Sequence, residues 1–206
     1  MPYTDELHNN QMIYVISGLP RSGTSMMMRM LAAGGLELLT DGSRTADESN
    51  PYGYYEFESV KSLKDGKTEW LEQARQKGVK IVSPLLPYLP SRYSYKIVFM
   101  RRDLNEVIAS QAKMLNAHRK TSSPLIDGEL IKAFRSHLVQ VENWLSSQSN
   151  IQVFYISYND LLRQPKVFIP RLVDFIDLPL NVVAMQNAIE PSLYRNRVNP
   201  EAAQIP

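Results

Sequence analysis

The chain has 206 residues and is expected to fold as a single domain over 1–206. Its 23 Lys and Arg stand against 21 Asp and Glu, so the net charge is only +2, no global field marks a binder of nucleic acid or anionic membrane, and any anion site must be local. A 44% hydrophobic, 21% charged composition suits a packed core, and the lack of cysteine excludes disulfide frameworks, zinc ribbons, iron–sulfur clusters and thiol catalysis.

The opening segment MPYTDELHNNQ carries Asp5 and Glu6 without an apolar block, and no run in the chain reaches the ~18 apolar residues of a membrane span. A cytoplasmic protein without a membrane span is expected. Met12 to Ser17 is short, apolar and β-branched, as in a strand buried on both faces. Gly18 to Ser25 breaks it, and a helix is predicted over 24–31, stopped by Gly34 and Gly35. The polar stretch 41–56 reads as an ordered surface loop that turns at Asn50-Pro51 and Gly53. A helix follows over about 60–77, then a strand over 79–83 halted by Pro84.

The run 95–100 is the third strand, and Asp103 with Glu106 has the spacing of a capping pair for a helix over 104–115. After a polar loop at 118–128, Leu130, Phe134, Leu138, Val141 and Leu145 keep helical spacing. The fourth strand is 151–156, Pro165 opens a helix that Pro170 bends, and Asn181 caps a last helix to about Ile189. Strands alternating with helices imply crossover connections, hence an α/β fold: three layers, α/β/α, around a central, mostly parallel sheet.

The loop Gly18-Leu-Pro-Arg-Ser-Gly-Thr-Ser25 stands between a buried strand and a helix. That context suits a phosphate cradle, because backbone N–H groups converge there on one anion. Arg21 adds charge, and Ser22, Thr24 and Ser25 add hydroxyl donors. A nucleotide kinase or NTPase would place Lys at position 24 and an Asp directly after an apolar strand to organise magnesium. Here position 24 is Thr, and the candidate strands are followed by Pro84, Arg101 and Tyr158.

The segment PRSGTS after an apolar strand resembles the 5′-phosphosulfate loop of the PAPS-dependent sulfotransferases, whose fold is related to that of the P-loop NTPases. In KIVFMRRDLNEVIAS, Arg102 at a strand end and Ser110 eight residues later are similar to the family's pair for the 3′-phosphate of the donor. The stretch from Val153 to Leu180 resembles the family's later strand, Tyr-containing turn and helix, and it puts Tyr158 at the position of an aromatic residue near the adenine. The resemblance further implies that a C-terminal basic segment, here with Arg195 and Arg197, closes over the 3′-phosphate.

Cytosolic members of that family place a His base at the end of the second strand. This sequence has Ser83 at or near that position, and a hydroxyl is too weakly basic to act unaided. Other branches use a Glu on the segment after the first helix, and NPYGYYEFE is similar to that segment in bacterial members. Glu56 is therefore the expected catalytic carboxylate, with Glu58 second and His118 as the alternative base.

The implied activity is transfer of a sulfuryl group from 3′-phosphoadenosine 5′-phosphosulfate (PAPS) to a hydroxyl or amine of a small-molecule or carbohydrate acceptor. PAP is the product, no metal takes part, and Arg21 neutralises charge on the leaving phosphate. The cofactor residues are Arg21, Ser22, Gly23, Thr24, Ser25, Arg102, Ser110, Tyr158, Arg195 and Arg197. A divergent P-loop nucleotide kinase and a non-catalytic cofactor-binding module are the alternatives. Between Lys96 and Lys120 six basic residues face two acidic ones, so the near-neutral total conceals a basic segment around the expected 3′-phosphate site.

Overall fold

The fold is described from a computed structural model over residues 11–47, 50–117 and 124–190. Four strands, β1 (Met12–Gly18), β2 (Gly78–Lys80), β3 (Ser94–Arg101) and β4 (Ile151–Ser157), form one sheet in the order β2-β1-β3-β4. Every pairing is parallel, with Ile16 opposite Lys80 on one side of β1 and Val98 on the other. The helices are α1 (Thr24–Ala33), α2 (Leu104–Ala117), α3 (Pro124–Ser146), α4 (Tyr158–Arg163), α5 (Pro165–Ile176) and α6 (Val182–Asn187).

The two-residue period of a strand makes the three layers. Ile13 and Val15 of β1 face a core with Ile97, Phe99, Trp70, Leu71, Val141 and Leu145. Tyr14 and Ile16 face the opposite core, where Met27, Met30 and Leu31 of α1 meet Leu161, Leu172 and Met185. Because all four strands run the same way, the chain leaves β1, β2, β3 and β4 at one edge of the sheet. In open α/β sheets that carboxyl-end edge is where ligands bind.

Several boundaries differ from those read in the sequence. The helix expected over 60–77 is two 3-10 segments, Glu58–Asp65 and Glu69–Ala74, separated after Gly66, which lies at φ 73°. Gly66 ends the first segment in the left-handed conformation of a helix C-cap, its amide donating to the carbonyl of Leu63. The strand expected over 79–83 ends at Lys80, and Ser83 begins a 3-10 segment, Ser83–Tyr88, that carries Pro84 and Pro87. Proline has no N–H to give a strand ladder, so pairing stops before it. The turn after β4 is the short helix α4, capped by Ser157 Oγ, which accepts from the amide of Asp160. The last helix is shorter than expected, 182–187, and Asn181 caps it as predicted by accepting from the amide of Ala184. No helix among the described residues is long and apolar enough to cross a membrane.

Candidate active site

The loop between β1 and α1 is held by two close approaches that only glycine permits. A Cβ at Gly18, φ 144°, would lie 2.6 Å from the carbonyl oxygen of Met100 on β3 and 2.5 Å from Ser22 Oγ. A Cβ at Gly23, φ 102°, would lie 2.4 Å from the ring of Tyr158. Gly23 is also the residue before α1, and no side chain caps that helix end. The hydroxyl of Ser22 is buried without a hydrogen-bond partner among the described residues. The first-turn amides of α1 are left without a side-chain cap, as at a helix N-terminus that receives an anion.

Arg21 adopts a left-handed backbone, φ 72°, which a side chain with a Cβ takes at a cost of about 1–2 kcal/mol. The guanidinium it projects crosses to α2, where Nε donates to Ser110 Oγ at 2.9 Å. Burial draws the Arg21 guanidinium below its ordinary value, an effect Tyr54 opposes and Arg102 reinforces. Arg102, which follows β3, donates from Nη1 to the carbonyl of Arg21 at 3.1 Å. From Nε it donates to Glu106 Oε2 at 2.9 Å, and its guanidinium lies 4.5 Å from the centroid of the Tyr158 ring.

Glu106 is a member of this network that sequence reading missed. The spacing Asp103–Glu106 suggested a capping pair, and Asp103 does cap, accepting from the amides of Asn105 and Glu106. The Glu106 side chain has a different task. It is 1% exposed, grips Arg102 with one oxygen and accepts from Asn159 Nδ2 at 3.1 Å with the other. The available signal was its place one helical turn, i to i+4, beyond Arg102. Ser110 is buried as well, so Arg102 and Ser110 are neither a surface ion pair nor a solvated hydroxyl.

A second cluster faces the first helix from the loop at 41–58. Gly53 and Tyr55, at φ 86° and 52°, bend the backbone sharply around Tyr54. The Tyr54 carbonyl accepts from Ser25 Oγ at 3.4 Å and from Lys80 Nζ, and its hydroxyl donates to Asp47. Glu56 is held between two cations, Arg44 Nη1 at 3.4 Å and Lys80 Nζ at 3.5 Å. Its backbone carbonyl accepts from the amide of Asp41. Glu58, the second carboxylate considered, instead pairs with Lys61 at the surface, 60% exposed. Lys80 was missed in the sequence, though a lysine between Val79 and Ile81 in a buried parallel strand is itself a signal.

His137 was missed too. Its Nε2 lies 2.9 Å from Ser83 Oγ, so α3 delivers an imidazole to the chain just past β2. Burial lowers the His137 pKa and favours the neutral ring. Its position, three residues after Phe134 and four before Val141, puts it on the apolar stripe of that helix, which periodicity could have revealed. His118, Arg195 and Arg197 lie outside the described residues.

The phosphate loop, Arg21, Arg102, Ser110 and Tyr158 thus come together at the carboxyl ends of β1 and β3, and Glu56 meets the end of β2 next to them. Residues 13–202 match the sulfotransferase domain family. No curated protein matches the chain in sequence. The sulfotransferase STF1 of Mycobacterium tuberculosis H37Rv superposes with a TM-score of 0.58 at 14% identity, covering 93% of this chain and 76% of the other. The sulfotransferase domain of the Synechococcus PCC 7002 olefin synthase gives 0.52 at 15% identity, over 95% and 83%. The sulfotransferase domain from the curacin biosynthetic pathway gives 0.51 at 16%, over 86% and 77%. At such identities the likeness is one of fold, whereas the family match spans nearly the whole chain, and on that match the chain belongs to the sulfotransferase family.

Proposed function

We propose that this sulfotransferase takes a sulfuryl group from PAPS and passes it by in-line displacement to a hydroxyl or amine of a small-molecule or carbohydrate acceptor. The observation that carries this reading is the convergence of Arg21, Arg102 and Ser110 from three separate elements into one partly buried network. The Arg102 guanidinium and the Ser110 hydroxyl form a site for one phosphate, and the amides that begin α1, with Arg21, Ser22, Thr24 and Ser25, form another beside it. Two anion sites next to each other fit a donor that carries phosphate at both its 3′ and 5′ positions. Tyr158, packed between Gly23 and Arg102, supports the adenine side. Arg195 and Arg197 belong to the same proposal as a closing basic segment.

Bound there, PAPS supplies a sulfuryl group on a phosphate leaving group. Arg21 stabilises the negative charge that grows on that leaving phosphate, and the loop amides hold its oxygens without rearranging. Glu56 accepts the proton of the acceptor hydroxyl, which raises the nucleophilicity of the attacking oxygen. The alignment of acceptor and donor is the remaining contribution, and the fixed turn at 53–56 is the element that provides it.

Calorimetric titration with PAP at fixed salt tests the donor assignment without knowledge of the acceptor. PAP should bind and raise the melting temperature. Protection by ATP with magnesium but not by PAP would replace this reading with a nucleotide kinase. Tight PAP binding with no turnover of PAPS by any acceptor, water included, would leave a non-catalytic cofactor-binding module.

A further inference from the structure

Among the described residues, Lys80 is the most deeply buried cation outside the proposed donor contacts. Its side chain is 7% exposed, at the last position of β2, and the parallel register opposite Ile16 fixes it at the carboxyl edge of the sheet. A buried ammonium is costly to desolvate unless it is paired. Two groups meet it, both from the turn at 54–56: the Tyr54 carbonyl, which accepts a hydrogen bond, and the Glu56 carboxylate at 3.5 Å. The Tyr54 ring lies 5.9 Å away on the same side. Arg44 and Arg21 are the other charged groups acting on it, both unfavourably.

We propose that Lys80 is a positioning residue of the transfer site, clamping the Tyr54 carbonyl and the Glu56 carboxylate so that segment 54–56 stays fixed against the phosphate loop. This rests on the sulfuryl-transfer reading for its catalytic consequence. The clamp joins three elements, since the same Tyr54 carbonyl also accepts from Ser25 at the start of α1. Tyr55, at φ 52°, is the strained link between the two clamped groups. A non-glycine residue holds that conformation only when its surroundings impose it, and the two contacts of Lys80 on either side do so. Lys80 acts through Glu56 and has no part in proton transfer.

The clamp has a pH signature. Burial pushes the Lys80 amine down to about 8, with Glu56 opposing that fall and Arg44 and Arg21 adding to it. The ion pair is therefore present below that pH and lost above it. An arginine at the same position stays charged throughout.

The test compares wild type, Lys80→Met and Lys80→Arg. Consumption of PAPS with water as acceptor is followed from about pH 6.5 to 9.5, beside PAP affinity by calorimetry and hydrogen exchange over residues 53–58. Expected are an alkaline fall in wild-type kcat near pH 8, a kcat loss of about tenfold or more in Lys80→Met, and PAP affinity within about twofold. Lys80→Arg should restore kcat and shift the alkaline fall upward. An unchanged kcat and pH profile in Lys80→Met overturns the proposal. So does a parallel loss of PAP affinity, which would make Lys80 a donor contact. Should wild type neither bind PAP nor consume PAPS, the donor reading fails alone. Faster exchange over 53–58 in Lys80→Met would still uphold the clamp, and unchanged exchange would sink it.

Discussion

Arg21 and Ser110 are 89 residues apart in the chain, yet Arg21 Nε donates to Ser110 Oγ at 2.9 Å. The contact brings the phosphate loop to the helix that follows β3, so residues read in the sequence as serving two ends of the donor share one hydrogen bond. Arg21, expected to serve the 5′ side, thus touches the residue expected to serve the 3′ side. Ser110 Oγ accepts in this contact, so its own O–H is still able to donate to a phosphate.

Ser110→Ala removes one hydroxyl from that site and leaves the Arg102–Glu106 pair intact. A net hydrogen bond contributes about 0.5–1.5 kcal/mol, so PAP should bind about three- to tenfold more weakly by calorimetry. Arg102→Ala removes a charge-assisted contact, for which the loss is about one to two orders of magnitude. It also strands Glu106, whose side chain is 1% exposed, and breaking a buried pair costs about 3–5 kcal/mol. Arg102→Ala should thus lower affinity and lower the melting temperature markedly, whereas Ser110→Ala, which loses only the hydrogen bond from Arg21, should lower the melting temperature far less. Equal PAP affinity in Ser110→Ala and wild type would remove Ser110 from the donor site.

Gly23→Ala tests the packing of the loop on Tyr158. The new methyl would sit 2.4 Å from the ring, at a backbone conformation, φ 102°, that L side chains rarely adopt. The Tyr158 ring must move, and Arg102, which lies over it, loses its platform. Overpacking and strain of this kind cost about 1–3 kcal/mol. Melting temperature should fall and PAP affinity with it. A variant of unchanged stability and affinity would show that the Gly23–Tyr158 contact is dispensable.

The sheet was legible because parallel strands buried on both faces appear as short apolar runs, as at 12–17 and 95–100, whereas the half-exposed edge strand at 151–156 was legible from its β-branched and aromatic residues. The loop glycines were legible because their spacing states a backbone requirement. The helix expected over 60–77 failed for the opposite reason. Val60, Leu63, Trp70 and Leu71 are buried, but Gly66 in a left-handed turn lets the chain bury them from two short segments. The residues missed at the site, Lys80, Glu106 and His137, are each defined by partners distant in sequence or hidden by a nearer role. Lys80 meets Tyr54 and Glu56, His137 meets Ser83, and Glu106 resembled a cap. Pairings across elements follow from tertiary packing, which no local pattern encodes.

Lys80 also makes stability depend on pH in a definite direction. Its ordinary value is 10.5 and its folded value about 8. Below 8 both states carry the proton and the folded state bears the full desolvation cost. Between those two values the unfolded chain binds more protons, so stability rises with pH. Relative to Lys80→Met, wild type should gain melting temperature from pH 8 to 10.5. A difference that stays constant or reverses over that window would contradict the buried, weakly basic lysine.

Among the described residues at the proposed site, Glu56 and His137 are the candidates to take the acceptor's proton, and paired variants separate them. Glu56 stands on the turn fixed by Lys80 and Arg44, beside the phosphate loop that Ser25 joins to Tyr54. His137 is hydrogen-bonded to Ser83, a hydroxyl buried completely and thus shut off from an acceptor. General-base catalysis contributes about 10²–10⁴ in rate. Glu56→Gln should therefore lower PAPS consumption by about a hundredfold or more while PAP affinity is kept, since Gln preserves shape and removes only the basic oxygen. His137→Asn, which keeps a partner for Ser83, should stay within about threefold of wild type, because a neutral ring committed to Ser83 only supports the segment after β2. The reverse pattern, a large loss in His137→Asn with a wild-type rate in Glu56→Gln, would transfer the base to α3 and leave Glu56 as a structural partner of Lys80. Rate against pH gives a second readout: loss of the acidic limb in the variant that slows turnover marks which group must be deprotonated.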